Sequence, residues 1–160
     1  MATEKLKFRL ELYATMWDQP PKAEILLDDK SHFDGEIRGT QDKPNLIEFE
    51  AELNEDSEYT LVIRMHSKNN NQTVIDEKSH IVKDQLLHIK SVEIDEIDIG
   101  ALVYEGIYTP NYPEPWATQQ MQSGKDLKDS FKNVTQMGWN GNWRLKFKSP
   151  FYMWLLENLY

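Results

Sequence analysis

Lys5-Leu6-Lys7-Phe8-Arg9-Leu10-Glu11-Leu12-Tyr13 alternates apolar and charged side chains from Lys5 to Leu12. A strand points successive side chains to opposite faces, so this pattern offers one face to a core and the other to water. A helix would scatter Leu6, Phe8, Leu10 and Leu12 around its circumference. The same period recurs along the chain. Ile47, Phe49, Ala51 and Leu53 alternate with Glu48, Glu50 and Glu52, and residues 59–65 alternate through Leu61, Ile63 and Met65. Runs at 23–27 and 73–75, and a longer one at 86–94, also read as strands. Between them stand turn formers: Asp28-Asp29-Lys30, Asp34-Gly35, residues 54–57 and Asn69-Asn70-Asn71. Roughly eight strands, spaced about 8–12 residues apart without amphipathic helices between them, predict an antiparallel β-sandwich.

Charge and aromatic content divide the chain. Residues 1–103 hold 22 acids and 12 bases, whereas 104–160 hold 5 acids and 6 bases. Of the aromatics, 12 of 18 lie after residue 103. Tyr108-Thr109-Pro110-Asn111-Tyr112-Pro113-Glu114-Pro115-Trp116 has three prolines in six residues, which predicts a stiff loop rather than a central strand. One or two short helical turns fit 116–133. Asn140-Gly141 suits a hairpin turn ahead of Trp143, Leu145 and Phe147, which alternate with Arg144, Lys146 and Lys148. Ser149-Pro150 reads as a helix start, with Ser as cap and Pro at the first helical position. Phe151, Trp154, Leu155 and Leu159 then share one helix face. A chain this short rarely supports two cores. We therefore expect a β-sandwich core over 1–103 and an aromatic extension with a short C-terminal helix over 104–160, packed on the same domain.

Composition removes several classes of function. The chain has 160 residues, no cysteine and a net charge of −9. Disulfides, thiolate metal sites and cysteine nucleophiles are absent, and capture of a nucleic-acid backbone is disfavoured. Mean hydropathy is −0.68, and no apolar run is long enough for a membrane helix. Met1-Ala2-Thr3-Glu4-Lys5 leads straight into alternating charges, so no signal peptide is expected. The phosphate-loop, dinucleotide, zinc-protease and nucleophile-elbow motifs are missing. His32, His66, His80 and His88 stand at no metal-ligand spacing. Nothing selects a catalytic pair from the many carboxylates, and the expectation is a binding protein rather than an enzyme.

Two constellations carry possible recognition chemistry. Asp28, Asp29 and Asp34 crowd one turn region, and Asp95 and Asp98 another; hard cations such as calcium take oxygen ligands from such loops. Asp and Asn in turns also serve simply to hydrogen-bond the backbone. Tyr108, Tyr112 and Trp116 sit in the proline-stiffened loop, and Trp139 precedes the Asn140-Gly141 turn. A flat aromatic ring on a pre-ordered loop offers apolar contact to the C–H face of a sugar or to a protein surface, at low entropic cost.

Two resemblances follow from these residues. Over about the first 100 residues, the order of signals resembles that of the calcium-dependent xylan-binding jelly-roll modules. The carriers are the opening strand, Ile25-Leu26-Leu27-Asp28-Asp29, Tyr59-Thr60-Leu61-Val62-Ile63, Lys83-Asp84-Gln85-Leu86-Leu87-His88-Ile89 and Val92-Glu93-Ile94-Asp95. The resemblance implies a jelly-roll-like sandwich, a carbohydrate ligand and calcium, with Asp84 the aligned metal ligand and Asp28 and Asp29 its candidate companions. The family's Asn-Asp pair is replaced here by Asn69-Asn70-Asn71-Gln72, so no calcium dependence is expected. The second part is similar to small proteins of T4-like phages of marine cyanobacteria. It shares Tyr112-Pro113-Glu114-Pro115-Trp116, Trp139-Asn140-Gly141-Asn142-Trp143 and the run from Ser149 to Leu159. This implies a viral protein of the host cytoplasm or the virion. The leading expectation is a module that recognises a glycan or protein surface through Tyr108, Tyr112, Trp116 and Trp139. The alternative is a phage structural or assembly protein whose C-terminal helix completes a homo-oligomer interface.

Overall fold

Around the alternating strand β1 (Thr3–Thr15) the first of the sandwich's two sheets is laid. The other long strands are β2 (Lys22–Leu27), β3 (Lys30–Glu36), β4 (Asn45–Asn54), β5 (Ser57–His66) and, after the short hairpin β6 (Val74–Ile75)–β7 (Ile81–Lys83), β8 (Leu86–Ile94). Then come β9 (Ile97–Asp98), a 3-10 turn at Gly100–Glu105, β10 (Ile107–Pro110) and helix α1 (Trp116–Gln122). The chain closes with β11 (Phe131–Lys132), β12 (Gln136–Met137), β13 (Gly141–Ser149) and helix α2 (Phe151–Leu159). The structure, a computed structural model, describes residues 2–69, 72–78 and 80–159. Asn70 and Asn71 of the expected loop, and Tyr160, lie outside the described residues.

One sheet runs β12-β8-β1-β4 with β9 also on β8; the other runs β11-β10-β13-β5-β2-β3. Every pairing is antiparallel, and the fold is the expected jelly-roll-like sandwich with a short C-terminal helix. Leu6, Phe8, Leu10 and Leu12 of β1 share one buried cluster with Ile25, Leu61, Ile63, Trp143, Leu145 and Phe147 of the opposite sheet. Each such side chain, once buried, contributes about 1.5–3 kcal/mol. The charged partners Lys7 and Arg9 face water across from Glu50 and Glu48.

Several local expectations change once pairing partners are known. Residues 104–160 are not laid on a finished sandwich: β13 lies between β10 and β5, with Leu145 opposite Leu61. Asp34-Gly35 makes no turn. It continues β3, with Gly35 opposite Ala23 and Asp34 Oδ1 2.8 Å from His66 Nε2. The turn is at Asp28-Asp29, where Asp28 has φ of 52°. The proline loop begins later than its sequence implies, because Ile107–Pro110 pairs with β13 as β10. Asn140-Gly141 forms no hairpin turn, since β12 and β13 belong to different sheets. Gly141 instead admits close strand contact: a Cβ there would lie 2.4 Å from the Thr109 carbonyl oxygen and 2.8 Å from Pro110 Cα.

Helix α2 buries Phe151, Trp154 and Leu155 against the sandwich, with Trp154 6.2 Å from the Phe147 ring; Leu159 is exposed. Ser149 does not cap it. Ser149 is the last rung of β13, opposite Ser57, and the first helical bond runs from Trp154 N–H to the Pro150 carbonyl. Glu4, at the start of β1, supplies the cap: its Oε2 accepts the Phe151 N–H at 2.8 Å and the Ser149 hydroxyl. A carboxylate meets the partial positive charge of the helix start favourably.

Candidate functional site

The ends of β1, β5 and β10 and the starts of β2, β8 and β13 all lie at one end of the sandwich, as the pairings Thr15–Leu86, Gly141–Met65 and Pro110–Gly141 require. Residues 16–21, 67–69, 72–73, 84–85, 111–115 and 138–140 cover that end. Three aromatic residues meet there. Tyr112 lies 5.9 Å from Trp116 and 5.0 Å, edge to face, from Trp139; Trp116 and Trp139 are 6.0 Å apart. All three are half-buried, each covered by its neighbours on one side and open on another. The Tyr112 hydroxyl donates to the Lys128 carbonyl at 2.7 Å, fixing the ring.

Tyr108 is brought to the same cluster but cannot touch a ligand. Only 2% of it is exposed, because it belongs to β10 and points into the core. Its hydroxyl donates to the Trp139 carbonyl and accepts the Trp139 N–H at 2.9 Å, so it clamps the backbone under the half-buried indole. Burial pushes the Tyr108 phenol well above the usual tyrosine range, since a phenolate there would lose its hydration. It is a support for the aromatic cluster rather than a contact.

The candidate metal ligands are not brought together. Asp28 Oδ1 accepts the Thr60 N–H at 2.8 Å in the β2–β3 turn, beside the exposed Asp29. Asp84 lies beyond the opposite end of β5, roughly 20 Å away for the six residues from Thr60 to His66 alone. Asp84 is committed elsewhere. Its Oδ1 accepts from Lys68 Nζ at 2.6 Å, Thr73 Oγ1 at 2.7 Å and Gln85 N–H at 2.8 Å. Calcium takes six to eight oxygens, and a carboxylate whose oxygen already holds an ammonium is a poor start for that shell. No group of three or more His, Asp or Glu placed to hold a metal occurs among the described residues. The residues present do not fit calcium.

Lys68 and Trp17 carry no signal in the sequence that marks them. The Lys68 side chain is only 8% exposed, and Nζ also donates to the carbonyls of Gln85 at 3.0 Å and Gly138 at 2.6 Å. The Lys68 backbone pairs with the Asn140 amide: Lys68 N–H donates to Oδ1 at 3.0 Å and its carbonyl accepts from Nδ2 at 2.9 Å. Both sides of Trp139 are therefore tied to one residue. Trp17, exposed in loop 16–21, has Lys83 Nζ 3.8 Å over its ring. Two of the histidines are stacked on rings. His88 stacks on Tyr13 and bonds Thr15, and desolvation lowers its pKa; His32 stacks on Phe49.

No family model matches this sequence, and no curated protein matches it. Among solved structures, the chain is similar to vCBM60 in its selenomethionine form, described with a circular permutation linking two families of calcium-dependent carbohydrate-binding modules. Identity is 4%, coverage 87% of this chain and 88% of that one, and the TM-score 0.51. A second structure, vCBM60 in complex with galactobiose, gives 4% identity, 86% and 95% coverage and a TM-score of 0.49. The first of these likenesses, spanning nearly all of both chains, establishes the antiparallel jelly-roll-like sandwich as the fold of this chain.

Proposed function

We propose that this chain is a non-catalytic, carbohydrate-binding module whose glycan site is the Tyr112–Trp116–Trp139 cluster. The observation that carries this reading is the cluster itself: three half-open rings, Tyr112 on the proline-rich loop, Trp116 at the start of α1 and Trp139 on a loop whose backbone Tyr108 clamps. Such rings give a sugar apolar contact, while a pre-ordered site loses little entropy on binding. The net charge of −9 repels polyanions, so the ligand is a neutral polysaccharide. The sandwich shared with a carbohydrate-binding module supports the reading. Affinity-gel electrophoresis across neutral and acidic polysaccharides, with galactobiose as competitor, tests it. Retardation by a neutral glycan that Trp116→Ala abolishes without lowering the melting temperature is expected. No retardation by any glycan would refute it.

A second reading rests on α2. Tyr152, Met153, Leu156 and Leu159 are exposed on this helix, more apolar surface than one helix usually leaves in water. In a phage structural or assembly protein, of the virion or the host cytoplasm, that surface would be covered by a second copy. A monomeric mass in size-exclusion chromatography with light scattering counts against it.

A further inference from the structure

Lys68 Nζ has three protons and three oxygens to receive them: Asp84 Oδ1, the Gln85 carbonyl and the Gly138 carbonyl, all within 3.0 Å. An ammonium has no other donors, so its hydrogen-bonding capacity is filled. The charges also balance, one carboxylate against one ammonium. A divalent cation on the same three oxygens would be left with surplus charge and half a coordination shell. The three oxygens come from distant parts of the chain, at the entry to β8 and the crossover from β12 to β13. Gly138 immediately precedes Trp139, and Asn140, immediately after it, pairs with the Lys68 backbone.

We propose that Lys68 is a resident cation, holding the Asp84 carboxylate that the sequence resemblance assigns to a metal, and that it is the positioning residue for the Trp139 loop. The aromatic site is thereby set without calcium. The consequence for ligand binding rests on the glycan reading above; the consequence for the loop does not. Loss of Lys68 leaves the mostly buried Asp84 without its counter-charge and frees the 138–140 crossover from the β8 entry. Both effects reach Trp139, although Lys68 makes no contact with its indole among the bonds and ring pairs described.

The test compares wild type, Lys68→Met and Lys68→Met/Asp84→Asn. Melting is followed in calcium chloride or EDTA, and near-UV circular dichroism is read in the part of the spectrum that Trp139→Phe removes. Wild type is expected to melt within about 1 °C in calcium and in EDTA, since nothing bound is gained or lost. Lys68→Met should melt lower by on the order of 10 °C and lose the Trp139 signal. If that variant fails to fold by far-UV dichroism, the double variant carries the test, because it leaves no unpaired buried charge. It should regain melting temperature but not the Trp139 signal, as the bridge to Gly138 is still gone. A wild-type melt raised by calcium overturns the proposal, and so does a double variant with the wild-type near-UV spectrum, which would make Lys68 a mere counter-charge. Should every polysaccharide fail to bind while these spectra come out as expected, the glycan reading falls and the Lys68 inference stands.

Discussion

Gly106→Ala is a one-methyl change whose cost can be worked out from the packing of Trp143. A Cβ at Gly106 would lie 2.2 Å from Trp143 Cε2, 2.3 Å from Nε1 and 2.4 Å from Cζ2, where ordinary contact begins at 3.4 Å. Something must therefore move by more than an ångström. The indole cannot retreat, being wholly buried. The backbone is not at issue, because Gly106 has φ of −64° and ψ of 144°, a conformation any residue adopts. The whole cost is thus overpacking, about 1–3 kcal/mol, or roughly 2–12 °C in melting temperature for a domain of this size. Trp143→Phe makes the space and removes an indole N–H that has no hydrogen-bond partner among the described residues, at the expense of a cavity. In a double-mutant cycle the two changes should couple favourably by about 1–2 kcal/mol. Urea unfolding followed by far-UV dichroism measures all four corners. A Gly106→Ala protein as stable as wild type, or strictly additive effects, would refute the packing argument.

Two further outcomes are open to simple measurement. Tyr108 is neutral in the fold at pH values where an unfolded tyrosine, with its pKa of 10.0, ionises. Its contribution is therefore complete below pH 10 and lost as pH rises beyond it, by up to about 1.4 kcal/mol per pH unit. Tyr108→Phe should flatten the alkaline fall of the melting temperature while costing about 1 kcal/mol at neutral pH; an unchanged alkaline slope counts against this. Tyr112 and Tyr152, also raised, keep a residual slope. Trp154→Ala should cost about 3–5 kcal/mol at every protein concentration, because Trp154 packs on Phe147 and Phe151 of its own chain. A folded protomer that loses only its oligomeric mass would contradict that docking.

Elements governed by their own period were legible before any partner was known. The faces of β1, β4, β5 and β13 follow directly from alternation, and α2 from its proline-marked start and apolar face. What stayed hidden depends on residues far along the chain. Asp34-Gly35 has the chemistry of a turn, yet pairing with β2 and the contact to His66 hold it extended. Ser149 has the chemistry of a cap, but its place opposite Ser57 leaves the task to Glu4, 145 residues earlier. The aromatic cluster was half legible. Proline spacing marked Tyr112 and Trp116, while the burial of Tyr108 follows from the register with Trp143, which no local pattern encodes. A single lysine after β5 looks like any solvated loop residue until Gly138, 70 residues on, is seen beside it.

The place of β13 in the middle of the six-stranded sheet also sets the order in which the molecule can assemble. As synthesis passes residue 103, β5 has β2 on one side and an open row of backbone donors and acceptors on the other. The strand that closes this edge pairs Leu145 with Leu61 and Trp143 with Ile63, across some eighty intervening residues. Loop closure over such a distance slows folding, and an unpaired apolar strand edge invites association with other chains meanwhile. The nascent chain therefore passes through a stage in which its nearly complete acidic half is exposed along the very seam that its aromatic half will seal. The surplus of negative charge in residues 1–103 is well placed to keep those half-made sandwiches apart.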